Sequence, residues 1–212
     1  MDEHLLRYDK SKTFVFIDLE TFNLCLNFCH NLPWQIGMIK AKGDFKTDSK
    51  NFYIKWNTDL KISDDAARIT RYDHKKVQRE GFDIKEVFPT IKDWLDHADY
   101  IVGHNILGFD IFLIKELYES MGCNWDHLMG KIIDTNCVAR GIKYGTPYKP
   151  NTDLLEYQYK TYHTKRKDIK SSLTFLGKEN SIDHDYDKLH DAINDLDLNL
   201  KVWNKLKWQI EV

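Results

Sequence analysis

The chain contains 212 residues, of which 42% are hydrophobic and 30% charged, so it can bury a sizeable core and is not disordered. Its 31 Lys and Arg residues are balanced by 33 Asp and Glu residues, which excludes a global positive field that would attract nucleic acid. We therefore expect a single globular domain over residues 1–212, with its core at about residues 13–207.

Nothing in the sequence is typical of a membrane or secretory protein. No apolar run is long enough to cross a bilayer, and the N-terminal residues lack the basic and apolar regions of a signal peptide. The four cysteines (Cys25, Cys29, Cys123 and Cys137) form no Cys-x-x-Cys pair and no disulfide framework. These features predict a cytoplasmic protein with free thiols and no membrane partner.

The first half of the chain is predicted to form three strands and a helix. Residues 13–17 are apolar at nearly every position, which is typical of a central strand covered on both faces. Residues 35–40 and 51–56 are predicted as two more strands, with a turn at residues 42–44. Apolar side chains at helical spacing predict a helix over residues 84–97. The short connections indicate an antiparallel meander.

The second half is predicted to alternate strands and helices. Residues 100–103 and 131–134 are predicted strands, and the helix between them covers about residues 109–121, with Phe112 facing inward. Thr135 is the predicted N-cap of the next helix. A C-terminal helix is predicted from its apolar residues, which are Leu189, Ile193, Leu196, Leu200, Trp203 and Leu206. The whole order predicts an α/β fold with a mixed five-stranded sheet, three antiparallel strands and then two parallel ones, flanked by helices.

Acidic residues end the predicted central strand. Asp18 and Glu20 are two residues apart, so both side chains point to the same face of the strand, close enough to share a metal ion. Such a pair can also simply end a strand in solvent. The apolar strand before it favours a site, because ligands gather at the carboxyl ends of central strands.

Polar residues also mark the starts of two later helices. His104 and Asn105 follow a predicted strand, and Asp110 lies in the first turn of the next helix, where it can also merely stabilise the helix dipole. His190 and Asp195 frame the start of the last helix. Five residues correspond to about 140° around a helix, so the two converge only if His190 lies at its frayed start. The alternative for His190 is a solvated histidine.

These patches together resemble the motifs of the DEDDh group of 3′-to-5′ exonucleases, the DnaQ-like proteins with an RNase H-like fold. Asp18 and Glu20 match the first motif, Asp110 the second, and His190 with Asp195 the third. The resemblance covers nearly the whole chain.

Weaker similarities and some departures accompany these motifs. Residues 35–37 (Gln-Ile-Gly) resemble the second-strand motif of the group, and residues 134–135 resemble its Asp-Thr pair. Thr70 and Arg71 stand where the group usually has His and Gly. The link over residues 23–34 is longer than usual, which we interpret as an enlarged loop at the rim of the active site.

The resemblance implies a metal-dependent phosphodiester hydrolase that releases nucleoside 5′-monophosphates from 3′ ends. It implies two Mg²⁺ ions, for which Mn²⁺ can substitute, held by Asp18, Glu20, Asp110 and Asp195. Asp18 is expected to bridge both ions. His190 is the expected general base, because histidine exchanges protons near neutral pH. The residue chemistry agrees, since four carboxylates in one cleft repel each other unless cations bind them.

Residues 140–170 contain eight basic and three acidic residues with five tyrosines among them, a composition that predicts a path for a single strand. Alternatively, this stretch is a solvated loop whose tyrosines pack on the core.

By resemblance, Phe22 and Phe109 are candidates for contact with the terminal nucleotide. The predicted substrate-binding residues are Thr21, Phe22, His104, Asn105, Phe109, Lys165, Arg166 and Lys167.

The leading hypothesis is an enzyme that acts on single-stranded DNA 3′ ends, in proofreading for a separate DNA polymerase. One alternative is an RNA 3′ exonuclease of the oligoribonuclease or RNase T kind, and another is an inactive nucleic-acid-binding or polymerase-docking module. A zinc site at Cys25, Cys29 and His30 is disfavoured, because no fourth ligand is near in the sequence.

Overall fold

The computed structural model of the chain describes residues 3–27 and 30–212. Within these residues five strands form one sheet in the order β3-β2-β1-β4-β5. The strands are β1 (Thr13–Thr21), β2 (Pro33–Lys42), β3 (Phe45–Tyr53), β4 (Tyr100–Gly103) and β5 (Ile132–Asp134). The helices are α1 (Asp64–Thr70), α2 (His74–Glu80), α3 (Ile84–His97), α4 (Asp110–Ser120), α5 (Thr135–Lys143), α6 (Leu154–His163), α7 (Leu173–Glu179) and α8 (Ala192–Leu206). None of the helices in the described ranges is long and apolar enough to cross a membrane.

The sheet is mixed, as the sequence predicts. β1 pairs antiparallel with β2, and β2 pairs antiparallel with β3. On the other side β4 runs parallel to β1, and β5 runs parallel to β4. The predicted α/β architecture of three antiparallel strands followed by two parallel ones is therefore confirmed, with β1 at its centre.

The side chains of β1 alternate between two hydrophobic cores. Ile17 belongs to the core that α3 and α4 close on one face of the sheet. Phe16 belongs to the core that α5, α7 and α8 close on the other face. Since neighbouring side chains along a strand point to opposite faces, Asp18 and Glu20 continue the face of Phe16. The acidic pair therefore lies under α8.

The predicted strand over residues 51–56 is placed too late. β3 covers Phe45–Tyr53 and begins directly after the tight turn, where Gly43 has a φ of 59°. As an edge strand, β3 exposes most of its side chains between residues 45 and 52, and these are mainly polar. Because these residues are polar, the first part of the strand lacks the apolar pattern from which strands are predicted.

Three details of the helices were also predicted wrongly. Phe112 is 49% exposed, because the inward face of α4 is formed by its other apolar residues, which are Ile111, Leu113, Ile114 and Leu117. The N-cap of α5 is Asp134 rather than Thr135, since the Asp134 carboxylate accepts hydrogen bonds from the backbone N–H groups of Asn136 and Cys137. Leu189 is buried but precedes α8, which begins at Ala192.

Candidate active site

Three carboxylates meet where β1 ends and α8 begins. Asp18 and Glu20 lie on one face of β1, and Asp195 lies in the first turn of α8. One carboxylate oxygen from each of the three residues lies within 4.8 Å of the others. The strand pair is aligned by side-chain alternation, and Asp195 joins it because α8 packs against β1 and β2. Residues separated by about 175 positions in the sequence thus form one cluster, which we call the acidic cluster.

Asp110 reaches the same end of β1 from α4, which packs on the opposite face of the sheet from α8. It is the first residue of α4 and is 5% exposed. Its Oδ1 accepts a hydrogen bond from the backbone N–H of Leu19 at 3.1 Å. Because Leu19 lies between Asp18 and Glu20, this bond holds the fourth carboxylate beside the acidic cluster.

The loop before Asp110 is held by Asp134, which is fully buried at the end of β5. The Asp134 carboxylate accepts hydrogen bonds from the backbone N–H of Asn105 at 3.0 Å and of Leu107 at 3.1 Å. Asn105 adopts a left-handed conformation with a φ of 67°, so the chain turns sharply between β4 and α4. The Asp-Thr similarity noted in the sequence therefore marks a residue that positions the loop leading to Asp110.

Burial and mutual repulsion make the ionised forms of these carboxylates costly without a cation. Burial, followed by the charge of Glu20, raises the pKa of Asp18 well above its usual range. Burial, followed by the charge of Asp195, raises the pKa of Glu20 to about 8. Burial also raises the pKa of Asp110 and of Asp195, each to about 7. Four oxygen-donor carboxylates at one point fit hard divalent cations such as Mg²⁺ or Mn²⁺.

Asp191 is a further acidic residue at this site that was not predicted from the sequence. It is the N-cap of α8, and its charge contributes to the raised pKa of Asp18, Glu20 and Asp195. Gln35 of β2 donates a hydrogen bond from Nε2 to Asp191 Oδ2 at 3.2 Å. The signal that could have indicated Asp191 was its position in the His-Asp-Ala stretch before Asp195.

His190 lies before α8 in a left-handed conformation with a φ of 67°. Its backbone N–H points at the Asp195 carboxylate, 3.3 Å from Oδ1 and 3.2 Å from Oδ2. The contact between the two motif residues is therefore made by the His190 backbone, and the side chain is exposed. His190 also lines a cavity of about 240 Å³, together with Arg71 and Lys188.

Arg71, which departs from the usual glycine of the DEDDh motif, anchors the segment that leads to His190. Its backbone is left-handed, with a φ of 55°, at the end of α1. Its Nη2 donates a hydrogen bond to the carbonyl oxygen of Asp187 at 2.7 Å. A residue that breaks the family pattern thus ties α1 to the loop carrying the predicted general base.

The predicted substrate-binding residues near β1 and β4 are placed around this site. The Thr21 hydroxyl donates to the carbonyl oxygen of Asn23 at 2.6 Å. Phe22 is buried and packs beside Tyr72, with 6.1 Å between the ring centroids. His104 Nδ1 lies 3.0 Å from the Thr135 hydroxyl, and desolvation of the ring lowers the pKa of His104 to about 4. The described contacts of these side chains are thus to the protein itself.

Phe109 lines a cavity of about 520 Å³ between α4 and the long link after β1. That link is closed by Asn31, whose Oδ1 accepts from the Asn23 N–H at 2.9 Å and whose Nδ2 donates to the Asn23 carbonyl at 2.7 Å. Cys25 and His30 also line this cavity, and Cys29 lies outside the described residues. Within the described part of the chain, the acidic cluster is the group of side chains whose ligand atoms lie close enough together to hold a metal ion.

Residues 140–170 include the end of α5 and all of α6. Tyr144 and Tyr148 are buried, which favours the packing interpretation for these two tyrosines, whereas Tyr159 is 62% exposed. The Arg166 guanidinium lies 4.8 Å from the Tyr144 ring and donates to the Tyr144 carbonyl oxygen at 3.2 Å. Lys165 and Lys167 are exposed and therefore available to a ligand.

A family model described as RNase_T, Exonuclease, matches residues 15–203 of the chain. The match begins in β1 and ends in α8, so it includes all four carboxylates and His190. A search of the curated proteins finds no significant match to the sequence.

Solved structures of E. coli exonuclease I are similar to this fold. The complex with a dA16 oligonucleotide has a TM-score of 0.74 at 20% identity and covers 94% of this chain and 41% of its own. The complex with a dT13 oligonucleotide has a TM-score of 0.71 at 21% identity, and the match covers 93% of this chain and 41% of the exonuclease I chain. The zinc-bound complex with single-stranded DNA has a TM-score of 0.70 at 20% identity, and the match covers 92% of this chain and 40% of the exonuclease I chain. The likeness confirms the predicted RNase H-like fold, and this chain spans about two fifths of the length of exonuclease I.

Proposed function

The chain belongs to the RNase_T exonuclease family, and from this we propose that it removes nucleoside 5′-monophosphates from the 3′ ends of single-stranded DNA. The observation that carries the proposal is the acidic cluster, in which oxygens of Asp18, Glu20 and Asp195 lie within 4.8 Å of one another. A cluster of like charges is costly to a fold, so a role in cation binding accounts for it better than a mere binding surface does.

The residues fit a two-cation mechanism. We assign Asp18, Glu20 and Asp195 as direct ligands and Asp110 as the fourth, with Mg²⁺ as the working ion and Mn²⁺ as a substitute. When bound, the two cations stabilise the negative charge that develops on the attacking and leaving oxygens. By resemblance to the DEDDh group, Asp18 would contact both cations, and it lies among Glu20, Asp110 and Asp195, whose charges all act on it.

His190 is assigned as the general base that removes a proton from the attacking water. Its exposed side chain leaves it free to turn toward a substrate, while its backbone N–H to Asp195 fixes its position at the start of α8. The Asp195 carboxylate therefore has two tasks in this proposal, as a cation ligand and as an anchor for the segment that carries the base.

Three observations support single-stranded DNA as the proposed substrate. The similar exonuclease I structures are described as complexes with dT13 and dA16 oligonucleotides. In this chain, Lys165 and Lys167 are exposed on a segment that continues from α6, where phosphates can be attracted. Phe109, beside Asp110, lines a cavity in which the terminal base can be held. Thr21, Phe22, His104, Asn105 and Arg166 are proposed to support this surface from within, because their described contacts are to the protein itself.

The experiment that tests this function uses 5′-labelled single-stranded DNA, duplex DNA, single-stranded RNA and dinucleotides, each with Mg²⁺, with Mn²⁺ and with EDTA. We expect a ladder of shortened single-stranded DNA and release of 5′-mononucleotides, abolished by EDTA. Faster cleavage of RNA would support the RNA alternative. Immediate release of the labelled 5′ nucleotide would show that the enzyme degrades strands from the 5′ end. Inactivity on every substrate would favour the alternative of an inactive binding module.

We also propose that the protein proofreads for a separate polymerase and that it lies in the cytoplasm. A primer with a 3′ mismatch tests the first, because a proofreading enzyme removes the unpaired terminal nucleotide faster than a paired one. Equal rates on matched and mismatched primers would contradict that role without affecting the nuclease assignment.

A further inference from the structure

An open apolar cavity of about 770 Å³ lies between α4 and α6, outside the acidic cluster. We call it the α4–α6 groove. Its lining includes Phe112, Lys115, Trp125, Tyr159, Tyr162 and His163. A cavity of this size lies within the range that proteins use for ligands, and its walls are mostly apolar.

Aromatic rings stand open to solvent in this groove. Phe112 is 49% exposed and Tyr159 is 62% exposed. The His163 ring joins them, with its centroid 4.4 Å from that of Tyr159 and 5.2 Å from that of Tyr162. Exposed contiguous apolar surface is unfavourable in water and marks a binding face. The groove thus presents several aromatic rings to a ligand.

The groove begins at the loop that carries Asp110. A Cβ atom at Gly108 would stand 2.6 Å from the Tyr162 hydroxyl, so α6 lies directly against this loop. Phe112 lies about 200° around α4 from Asp110, but it lines both the cavity that contains Phe109 and the groove, so the two cavities meet at this ring. A ligand held at the acidic cluster can therefore continue past Phe109 into the groove without leaving the surface.

The charged groups around the groove are largely paired within the protein. Lys160 Nζ lies 2.6 Å from Glu156 Oε1, and Lys115 Nζ lies 3.8 Å from Glu119 Oε1. Lys115 also lies over the Trp125 ring, 5.3 Å from its centroid. This balance indicates that the groove recognises flat apolar faces rather than phosphate groups, and unpaired nucleobases are ligands of that shape.

We propose that the α4–α6 groove binds unpaired bases of the substrate strand by stacking, on the 5′ side of the nucleotide to be removed. The inference rests on the proposed function, because it takes the substrate to be a single strand whose 3′ end lies at the acidic cluster. It adds a second contact region, distinct in chemistry from the lysines of residues 165–167. The groove therefore sets affinity for long strands and leaves the bond-breaking step unchanged.

The test measures binding in EDTA, so that cleavage does not interfere. A twelve-nucleotide dT oligomer carries 2-aminopurine at one position at a time, counted from the 3′ end, and a matched rU oligomer separates DNA from RNA. We expect quenching at internal positions with the wild-type protein. Phe112→Ala combined with Tyr159→Ala is expected to remove the quenching and weaken binding about tenfold. The salt dependence of binding stays the same, because no phosphate contact is lost.

Three controls complete the design. Phe45→Ala removes a ring that is 74% exposed but lies at the start of β3, at the other end of the sheet from the acidic cluster, and should have no effect. Tyr159→Trp keeps a stacking face and should restore binding in the Phe112→Ala background. Thermal unfolding confirms that each variant folds.

Unchanged quenching and affinity in the double variant would overturn the groove proposal. The same result is expected if a protein partner, and not the strand, covers this surface. Equal loss of dinucleotide turnover in Tyr159→Ala alone would also overturn it, because Tyr159 lies outside the cavity that contains Phe109 and a dinucleotide is too short to reach it. The two proposals fail separately. A wild-type protein that shows quenching in the groove but hydrolyses no strand supports the groove and contradicts the nuclease function.

Discussion

Gly37 of β2 lies directly against Ala192, the first residue of α8. A Cβ atom at position 37 would stand 2.7 Å from the Ala192 Cβ, closer than two such atoms approach in proteins. Gly37 is also the antiparallel partner of Asp18 in the pairing of β1 and β2. Two small residues thus allow α8 to approach the sheet beside Asp18, which brings Asp195 into the acidic cluster.

Gly37→Ala is therefore expected to push α8 away from the sheet. The added methyl group should destabilise the protein by about 1–3 kcal/mol, measured by denaturant unfolding, and lower kcat by about 10–100-fold through displacement of Asp195. Gly130→Ala is the matched control, since a Cβ there meets nothing within 4 Å. Adding Ala192→Gly to Gly37→Ala should restore part of both losses, and an absence of rescue would show that this contact does not set the position of α8.

Asp18→Ala should abolish hydrolysis without unfolding the protein. The change removes the proposed bridging ligand and relieves the repulsion that Glu20, Asp110 and Asp195 exert on Asp18. Thermal stability in EDTA is therefore expected to stay level or to rise, while the stabilisation by added Mg²⁺ disappears. More than a few per cent of wild-type turnover in the purified variant would contradict the metal assignment.

The metal-free protein should lose stability as the pH rises from about 6.5 to 8.5. The pKa of Glu20 is raised to about 8, and those of Asp110 and Asp195 to about 7, mainly by burial, whereas unfolded carboxyls titrate near about 4. The folded state therefore holds more protons than the unfolded state in this window, and its stability falls as they leave. The lowered pKa of His104, about 4, has the opposite effect, mainly between about pH 4 and pH 6.5, and so fades at the lower edge of this window.

The measurement is the unfolding temperature in EDTA and in Mg²⁺ at several pH values across this window. Since cations bind the deprotonated carboxylates, the stabilisation by Mg²⁺ should grow with pH. An EDTA unfolding temperature that is level or rises across the window would be inconsistent with the raised carboxyl pKa values.

His190→Ala should lower kcat by about 10²–10⁴-fold with little change in KM, which is the usual effect of losing a general base. The acidic limb of the pH–rate profile should flatten, because the proton acceptor is gone. Stabilisation by Mg²⁺ should persist, since only the backbone N–H of His190 contacts Asp195. Normal turnover with an unchanged acidic limb would identify His190 as an ordinary solvated residue.

Replacing Lys165 and Lys167 with glutamine should weaken binding of a long single strand and reduce the slope of its salt dependence. Arg166 is left in place because it packs on Tyr144. Dinucleotide turnover should hardly change, because so short a substrate does not extend to this segment. If both substrates are affected equally, the segment is structural and carries no strand path.

Local patterns in the sequence were sufficient to predict most of the fold and the pairing of Asp18 with Glu20, whereas Asp195 was added by the resemblance to the DEDDh group. The apolar run before Asp18 identified the central strand, since a strand covered on both faces must be apolar throughout. The two-residue spacing of Asp18 and Glu20 placed them on one face, because strand side chains alternate. The bounds of α3 (Ile84–His97) were predicted correctly for a similar reason, because its buried side chains recur at helical spacing.

Only the tertiary structure decided how distant residues meet. The approach of Asp195 to Asp18 depends on Gly37 against Ala192, and the position of Asp110 depends on the buried Asp134. The outward ring of Phe112 follows from which face of α4 the core covers. A local pattern reports the period of an element, whereas the distance and rotation between elements are set by packing of side chains far apart in the sequence. The α4–α6 groove is therefore visible only in the folded chain.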